Sequence, residues 1–185
     1  MSPRPALPLR LEYILLGLIR RQATHGYDLL QRWNDADNIG IVWQVKPGSL
    51  YAALEKLEKL DYVRASVLPG ASSPQRKEYS ITSKGEQVFL DWMQSPILAA
   101  RVFRQDFLSR LFFSKDVEPV VVTHLIAQQT VVCQGWIKSL EKQHQSGTGF
   151  ERQVHAFRIH QVHGILAWMQ EISTKSQNNS SEKFT

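Results

Sequence analysis

Apolar positions along this chain recur mostly at helical spacing. Leu11, Ile14, Leu15, Leu18 and Ile19 form one stripe, which predicts a helix over about residues 9–21. A second helix carries Tyr27, Leu30 and Trp33 on its inner face, with Thr24 as the expected N-cap. The polar cluster at residues 34–38 should stop it, and Ile41-Val42-Trp43 reads as a short β-prone run. Pro47 suits the first turn of a third helix, whose buried stripe is Leu50, Ala53, Leu54, Leu57 and Leu60. After Asp61 the pattern changes to two strands, residues 62–68 and 76–81, joined by a loop at 69–75.

Helical spacing then resumes. Ser83 and Glu86 fit a capping box, with Thr82 as a competing cap, and Val88, Phe89, Trp92 and Met93 face inward. Ser95-Pro96 ends or kinks that helix. A block at 99–113 holds Val102, Phe103, Phe107, Leu108, Leu111 and Phe112. A long helix runs from Pro119 to near residue 145, striped by Val121, Leu125, Val132, Trp136 and Leu140. Residues 146–149 are the clearest break. The last helix, about 150–173, carries Val154, Phe157, Val162, Ile165, Met169 and Ile172.

Three helices and a hairpin followed by helices predict a mainly α chain with a small β wing. The expected divisions are a flexible arm at 1–8, a winged helix-turn-helix at 9–82, a helical dimerisation and effector domain at 83–173, and a disordered tail at 174–185. The two long final helices read as an antiparallel pair. Their apolar residues spread too widely for the pair to cover, so either a second copy covers them or they fold back on the amino-terminal domain.

The third helix faces two ways. Ser49, Ala52, Lys56 and Lys59 lie off the buried stripe, small first and basic last, a face that can enter a DNA groove. Ser49 could bond a base or a phosphate, Ala52 touch a thymine methyl, and Lys56 reach a phosphate. Lys46 precedes the helix on the same side. Tyr51 lies beside the stripe and either holds a phosphate or packs. Arg64, Arg76 and Lys77 make the hairpin basic, either as a wing on DNA or as a solvated surface. Tyr27 is expected in the core.

Composition adds modestly to this. The chain has 185 residues, 43% of them hydrophobic, and a net charge of +5. The excess is spread evenly, with 11 Lys and Arg against 8 Asp and Glu in residues 1–82 and 11 against 9 afterwards. Only folding can gather it into a patch. The single cysteine, Cys133, excludes an intramolecular disulfide and a multi-cysteine zinc site, and it fits a reducing compartment as a small buried residue. No continuous apolar run reaches membrane-span length and the amino end lacks a signal-peptide core, so a cytoplasmic soluble protein with no membrane partner is expected.

Four segments carry a resemblance. Leu11-Glu12-Tyr13-Ile14-Leu15-Leu16-Gly17-Leu18-Ile19, His25-Gly26-Tyr27-Asp28-Leu29, Gly48-Ser49-Leu50-Tyr51-Ala52-Ala53-Leu54-Glu55-Lys56-Leu57-Glu58 and Tyr79-Ser80-Ile81-Thr82-Ser83-Lys84-Gly85 resemble, in order, the PadR family of bacterial transcriptional regulators, in its longer-tailed branch. The resemblance covers residues 9 to about 94. Asp61 stands where the family usually has Gly, and a left-handed turn should survive there. Ala52 stands where Pro is common. The resemblance implies a homodimer built through the carboxy-terminal helices, binding to an inverted repeat of double-stranded DNA, and usually repression relieved by a small, often aromatic, molecule.

Trp92, Phe103, Phe107 and Trp136 could line an aromatic effector pocket; the plainer reading is core or dimer packing. His160 and His163 stand at i, i+3 with no carboxylate in phase, so no metal site and no cofactor are expected. No P-loop, nucleophile elbow, zinc-protease motif or dinucleotide fingerprint occurs, which argues against an enzyme. Two readings stay open: a dimeric DNA-binding regulator, or a winged-helix protein-interaction module without DNA binding.

Overall fold

The computed structural model describes residues 10–35, 39–68 and 76–181, with side chains described up to 173. The arm expected at 1–8 and the loop at 69–75 lie outside the described residues. Seven helices and three strands occur among those described: α1 (Leu11–Arg21), β1 (Thr24–His25), α2 (Gly26–Asn34), α3 (Pro47–Lys59), β2 (Val63–Leu68), β3 (Arg76–Ile81), α4 (Ser83–Gln94), α5 (Phe103–Phe112), α6 (Pro119–Ser146) and α7 (Gly149–Ser181).

The chain forms two compact units, residues 1–93 with 105–116, and residues 94–104 with 117–185. Packing therefore divides elsewhere than at residue 82: α4 and most of α5 fall with the winged helix.

In the first unit α1 is the central helix. Ile14 to Ile19 are all buried, and its last turn holds Arg20 and Arg21, favourable at the negative end of a helix dipole. Gly17 lies against aromatic rings; a Cβ there would stand 2.6 Å from Phe113 and 2.7 Å from Phe89. Those two rings meet edge to face at 5.4 Å. Arg20 joins α1 to α4 through Glu86 at 2.9 Å, and Arg21 joins it to Asp116 at 2.6 Å. Glu12 is 8% exposed, and its carboxylate receives Lys56 Nζ of α3 at 2.7 Å and the Arg10 amide at 3.1 Å. This pair fixes α3 against α1.

The sheet order is β1-β3-β2, all antiparallel, with Thr24 opposite Tyr79 and Val63 opposite Ile81. Thr24 is thus a strand residue; His25 occupies the N-cap position of α2, and its side chain makes no capping hydrogen bond to that helix. The β-prone run at 41–43 is not a strand. Ile39–Ile41 makes a 3-10 turn, with Ile39 buried and the Trp33 indole donating to the Trp43 carbonyl.

The end of α3 is a closed knot of hydrogen bonds. Asp61 has φ 57°, the left-handed turn expected of it. Its amide bonds the Glu58 carbonyl, and the Tyr62 amide bonds the Leu57 carbonyl, each at 3.0 Å. The Tyr62 carbonyl accepts the Thr82 amide at 3.1 Å, and the Thr82 hydroxyl lies 2.8 Å from the Asp61 carbonyl and 3.2 Å from that of Tyr62. Thr82 also caps α4, taking the Gly85 amide at 3.0 Å. Glu86 turns to Arg20, so the Ser83–Glu86 capping box does not form. A Cβ on Gly85 would collide with the Tyr62 carbonyl, which is why glycine stands there.

The second unit pairs α6 with α7. Leu125, Gln129, Cys133 and Ile137 are buried at i, i+4 spacing on α6. His155, Val162 and Met169, seven apart, are buried on α7. Phe157, expected on the inner face, is 62% exposed because this heptad line passes to its side. The Gln129 amide grips the backbone of Ile97 from both ends, accepting its N–H at 2.6 Å and donating to its carbonyl at 3.1 Å. α7 continues to Ser181, past the end expected at Ser173; residues 182–185 lie outside the description. By length and composition α6 could cross a membrane, yet only 22% of its most apolar window is buried in the single chain.

Two stability outcomes follow, both read by thermal or denaturant unfolding. Asp61→Ala should cost about 1 kcal/mol and Asp61→Gly nothing or less, since only the latter relieves the left-handed backbone. Lys56→Met strands the buried Glu12 carboxylate and should cost about 1–3 kcal/mol, with most of it recovered in Glu12→Gln/Lys56→Met. A double variant no more stable than Lys56→Met would rule out the ion pair as the cause.

Candidate nucleic-acid interface

Burial of Leu50, Ala53, Leu54 and Leu57 aims the opposite side of α3 outward. Ser49, Ala52, Glu55 and Lys59 are exposed there, with Lys46 at the helix start. No side chain caps the first turn. Two other elements adjoin this face. The ring of Tyr51, 43% exposed, rests where a Cβ of Gly26 would stand, 2.6 Å from its Cε1, so glycine lets it lie against the first turn of α2. His25 Nδ1 lies 3.1 Å from the Lys77 carbonyl and ties that turn to β3. The starts of α2 and α3 and the hairpin thus form one surface.

Tyr27 belongs to this surface and not to the core. It is 63% exposed, and its hydroxyl accepts from Gln31 at 3.0 Å. Trp33 is buried as expected, but Gly26 and Leu29 take the inner positions expected for Tyr27 and Leu30.

The hairpin separates its basic residues. Arg64 pairs with Ser80, whereas Lys77 pairs with Val67, and alternation puts them on opposite faces. Arg64 is exposed. The backbone of Arg76 pairs with Leu68, and its side chain lies outside the description. Lys77 turns toward α3, where its Nζ meets Glu58 at 3.1 Å; that hydrogen bond and the charge of Glu58 raise its pKa. Lys56 is half-buried and engaged with Glu12. Of the eight residues singled out, Lys46, Ser49, Ala52 and Arg64 are exposed with no carboxylate partner among the described residues, Tyr51 is partly packed, Lys56 and Lys77 meet carboxylates, and the Arg76 side chain lies outside the description. Periodicity gave no weight to Glu12, Glu55 and Glu58. Only Glu12 left a sequence signal, an acid in line with Leu16 and Ile19 on an apolar helix.

The four aromatic residues fall in both units. Trp92 and Phe107 are buried in the first, where Trp92 stacks on Tyr13 at 5.1 Å and 8°. The Arg110 guanidinium lies 4.5 Å from the Trp92 ring and donates to the backbone carbonyls of Trp92 and Asp106, each at 2.9 Å. Burial lowers the Arg110 pKa to about 10 and raises that of the Asp106 carboxyl, each offset in part by the other's charge. Phe103 and Trp136 meet edge to face at 6.4 Å in the second unit, and the Trp136 indole donates to the Leu98 carbonyl at 3.2 Å. His160 and His163 are both exposed on α7.

Residues 15–91 match the model of the transcriptional regulator PadR-like family. The chain is 24% identical over 103 residues to the negative transcriptional regulator PadR of Bacillus subtilis, spanning 56% of each protein. It is 33% identical over 76 residues to an uncharacterised protein X of Lysinibacillus sphaericus, spanning 41% of this chain and 68% of that one. Of the first two curated relatives it matches, the chain spans little more than half the length. Bacillus subtilis PadR solved with operator DNA aligns over 90% of this chain and 98% of that one, at 19% identity and a TM-score of 0.46. The same protein solved with p-coumaric acid aligns over 90% and 98%, at 18% identity and 0.42. The match across α1 to α4, with a winged helix-turn-helix built of those elements, makes this chain a member of the PadR-like family, whose members are transcriptional regulators and not enzymes.

Proposed function

We propose that this chain binds double-stranded DNA sequence-specifically as a homodimer on an inverted repeat, acts as a repressor, and is released by a small aromatic effector. The observation that carries the reading is the single surface formed by α3, the first turn of α2 and the hairpin. In it Ser49 and Ala52 read base edges, and Lys46, Lys59 and Arg64 meet phosphate. Glu55, exposed between Ala52 and Lys59, is suited to accept from a cytosine amino group.

The dimer is supported by uncovered apolar surface. Val120 is 70% and Val131 67% exposed on α6, and Phe150 is 79% and Phe157 62% exposed on α7. A second copy laid on these helices removes that surface from water. It also presents a second α3 to a half-site about 34–36 Å away. Residues 83–173 remain the proposed dimerisation and effector segment, with Trp92 and Phe107 in the first unit, and separately Phe103 and Trp136 in the second, as candidate effector contacts. The repressor role follows the relative named a negative regulator, and p-coumaric acid, present in one of that relative's structures, is the first compound to try.

Binding to the duplex upstream of the chain's own gene tests the reading. Mobility shift should resist random competitor and weaken steeply with salt, with a log–log slope set by the phosphates neutralised. Lys46→Glu/Arg64→Glu should lower affinity more than about tenfold at low salt, since two attractive phosphate contacts become repulsive. No duplex binding at any salt would favour the protein-interaction module. Sedimentation should give a dimer, and Val131→Asp/Phe157→Asp a monomer; a monomeric wild type would sink the paired half-site model.

A further inference from the structure

The ion pairs of α3 differ in burial, and that difference decides their fates when DNA arrives. In the Glu12–Lys56 pair the carboxylate is 11% exposed and the ammonium 39%. Releasing Lys56 would leave Glu12 nearly dry and without its counter-charge, so this pair stays closed. In the Glu58–Lys77 pair the two side chains are 36% and 50% exposed. Water solvates both groups when they part, so the pair opens at little cost. Lys77 Nζ meets Glu58 of α3, and the Lys77 carbonyl lies 3.1 Å from His25 Nδ1 at the start of α2, so the residue borders the proposed DNA surface.

We propose that Glu58 sets an affinity threshold for duplex DNA by competing with the DNA backbone for Lys77. In free protein Glu58 occupies the lysine; on DNA a phosphate displaces it. The freed carboxylate then stands beside a polyanion and recruits a cation. Every duplex, operator or random, meets this penalty, because phosphate carries no sequence information. Strong base contacts overcome it and weak encounters do not, so Glu58 keeps the protein off unrelated DNA at working concentrations. The inference rests on the DNA-binding reading above.

The test is a double-mutant cycle by fluorescence anisotropy, with the candidate operator and a random duplex at several salt concentrations. Circular dichroism melts confirm that the full-length variants fold. Glu58→Gln should tighten both duplexes about two- to fivefold, the range of an exposed ion pair. It should also steepen the salt slope, because no cation is taken up on binding. Lys77→Gln should weaken both duplexes. On the Lys77→Gln background, Glu58→Gln should change affinity less than about 1.5-fold, since the coupled partner is gone. Equal tightening on both backgrounds would reduce Glu58 to a distant charge and overturn the proposal, as would unchanged or weaker binding of Glu58→Gln. A wild type that binds no duplex would overturn the DNA reading and this inference together, whereas wild-type binding with an inert Glu58→Gln overturns the inference alone.

Discussion

The carbonyl of Tyr62 fastens α3 to everything behind it. It takes the Thr82 amide, and the Thr82 hydroxyl reaches back toward it and toward Asp61 while capping α4. The close of α3, the root of the hairpin and the start of α4 meet within a few atoms. Two backbone choices permit it, the left-handed Asp61 and the missing side chain at Gly85. Without that closure neither the hairpin nor α3 would have a fixed direction. With it, the outward face of α3 and the hairpin are held in one frame, and the Glu12–Lys56 pair secures the other flank of the helix.

The distribution of charge follows a similar logic. A net positive chain gains nothing for recognition if its cations are sequestered, and here Lys56 is sequestered while Lys77 is held loosely. Ser49, Ala52, Glu55 and Lys59 stay exposed on the outward side of α3, with Lys46 at its start. The acids on and behind α3, Glu12, Glu55 and Glu58, temper the positive charge on that side of the helix.

Much of this was legible from spacing. Leucines at i, i+3 and i+4 placed α1 and α3, and the change to alternation placed the hairpin, because one-sided burial imposes those periods. Elements held by long-range pairing were not. Thr24 looked like a cap because nothing local reports that Tyr79 will pair with it. Ile41-Val42-Trp43 looked like a strand, yet the Trp33 indole claims the Trp43 carbonyl. The phase of α7 was misjudged at Phe157 because its buried line recurs every seven residues. On the candidate interface, the outward positions Ser49 and Ala52 were visible from the helix period. That Lys56 would face Glu12 was not, because forty-four positions of chain separate them.

The returning α5 carries a consequence for how such a protein can change over generations. The chain leaves the winged-helix unit after Met93, crosses residues 94–104, and comes back to contribute Phe107 and Phe113 to its interior before leaving again. The ring of Phe113 fills the notch above Gly17, at the centre of α1. A recombination event that copied the family-matched segment alone would transplant a reading head with a hole in it. The unit is therefore complete only in a stretch that runs on to Asp116, past the family-matched segment. A transfer that keeps this interior whole has to carry α4, α5 and the link between them along with the winged helix.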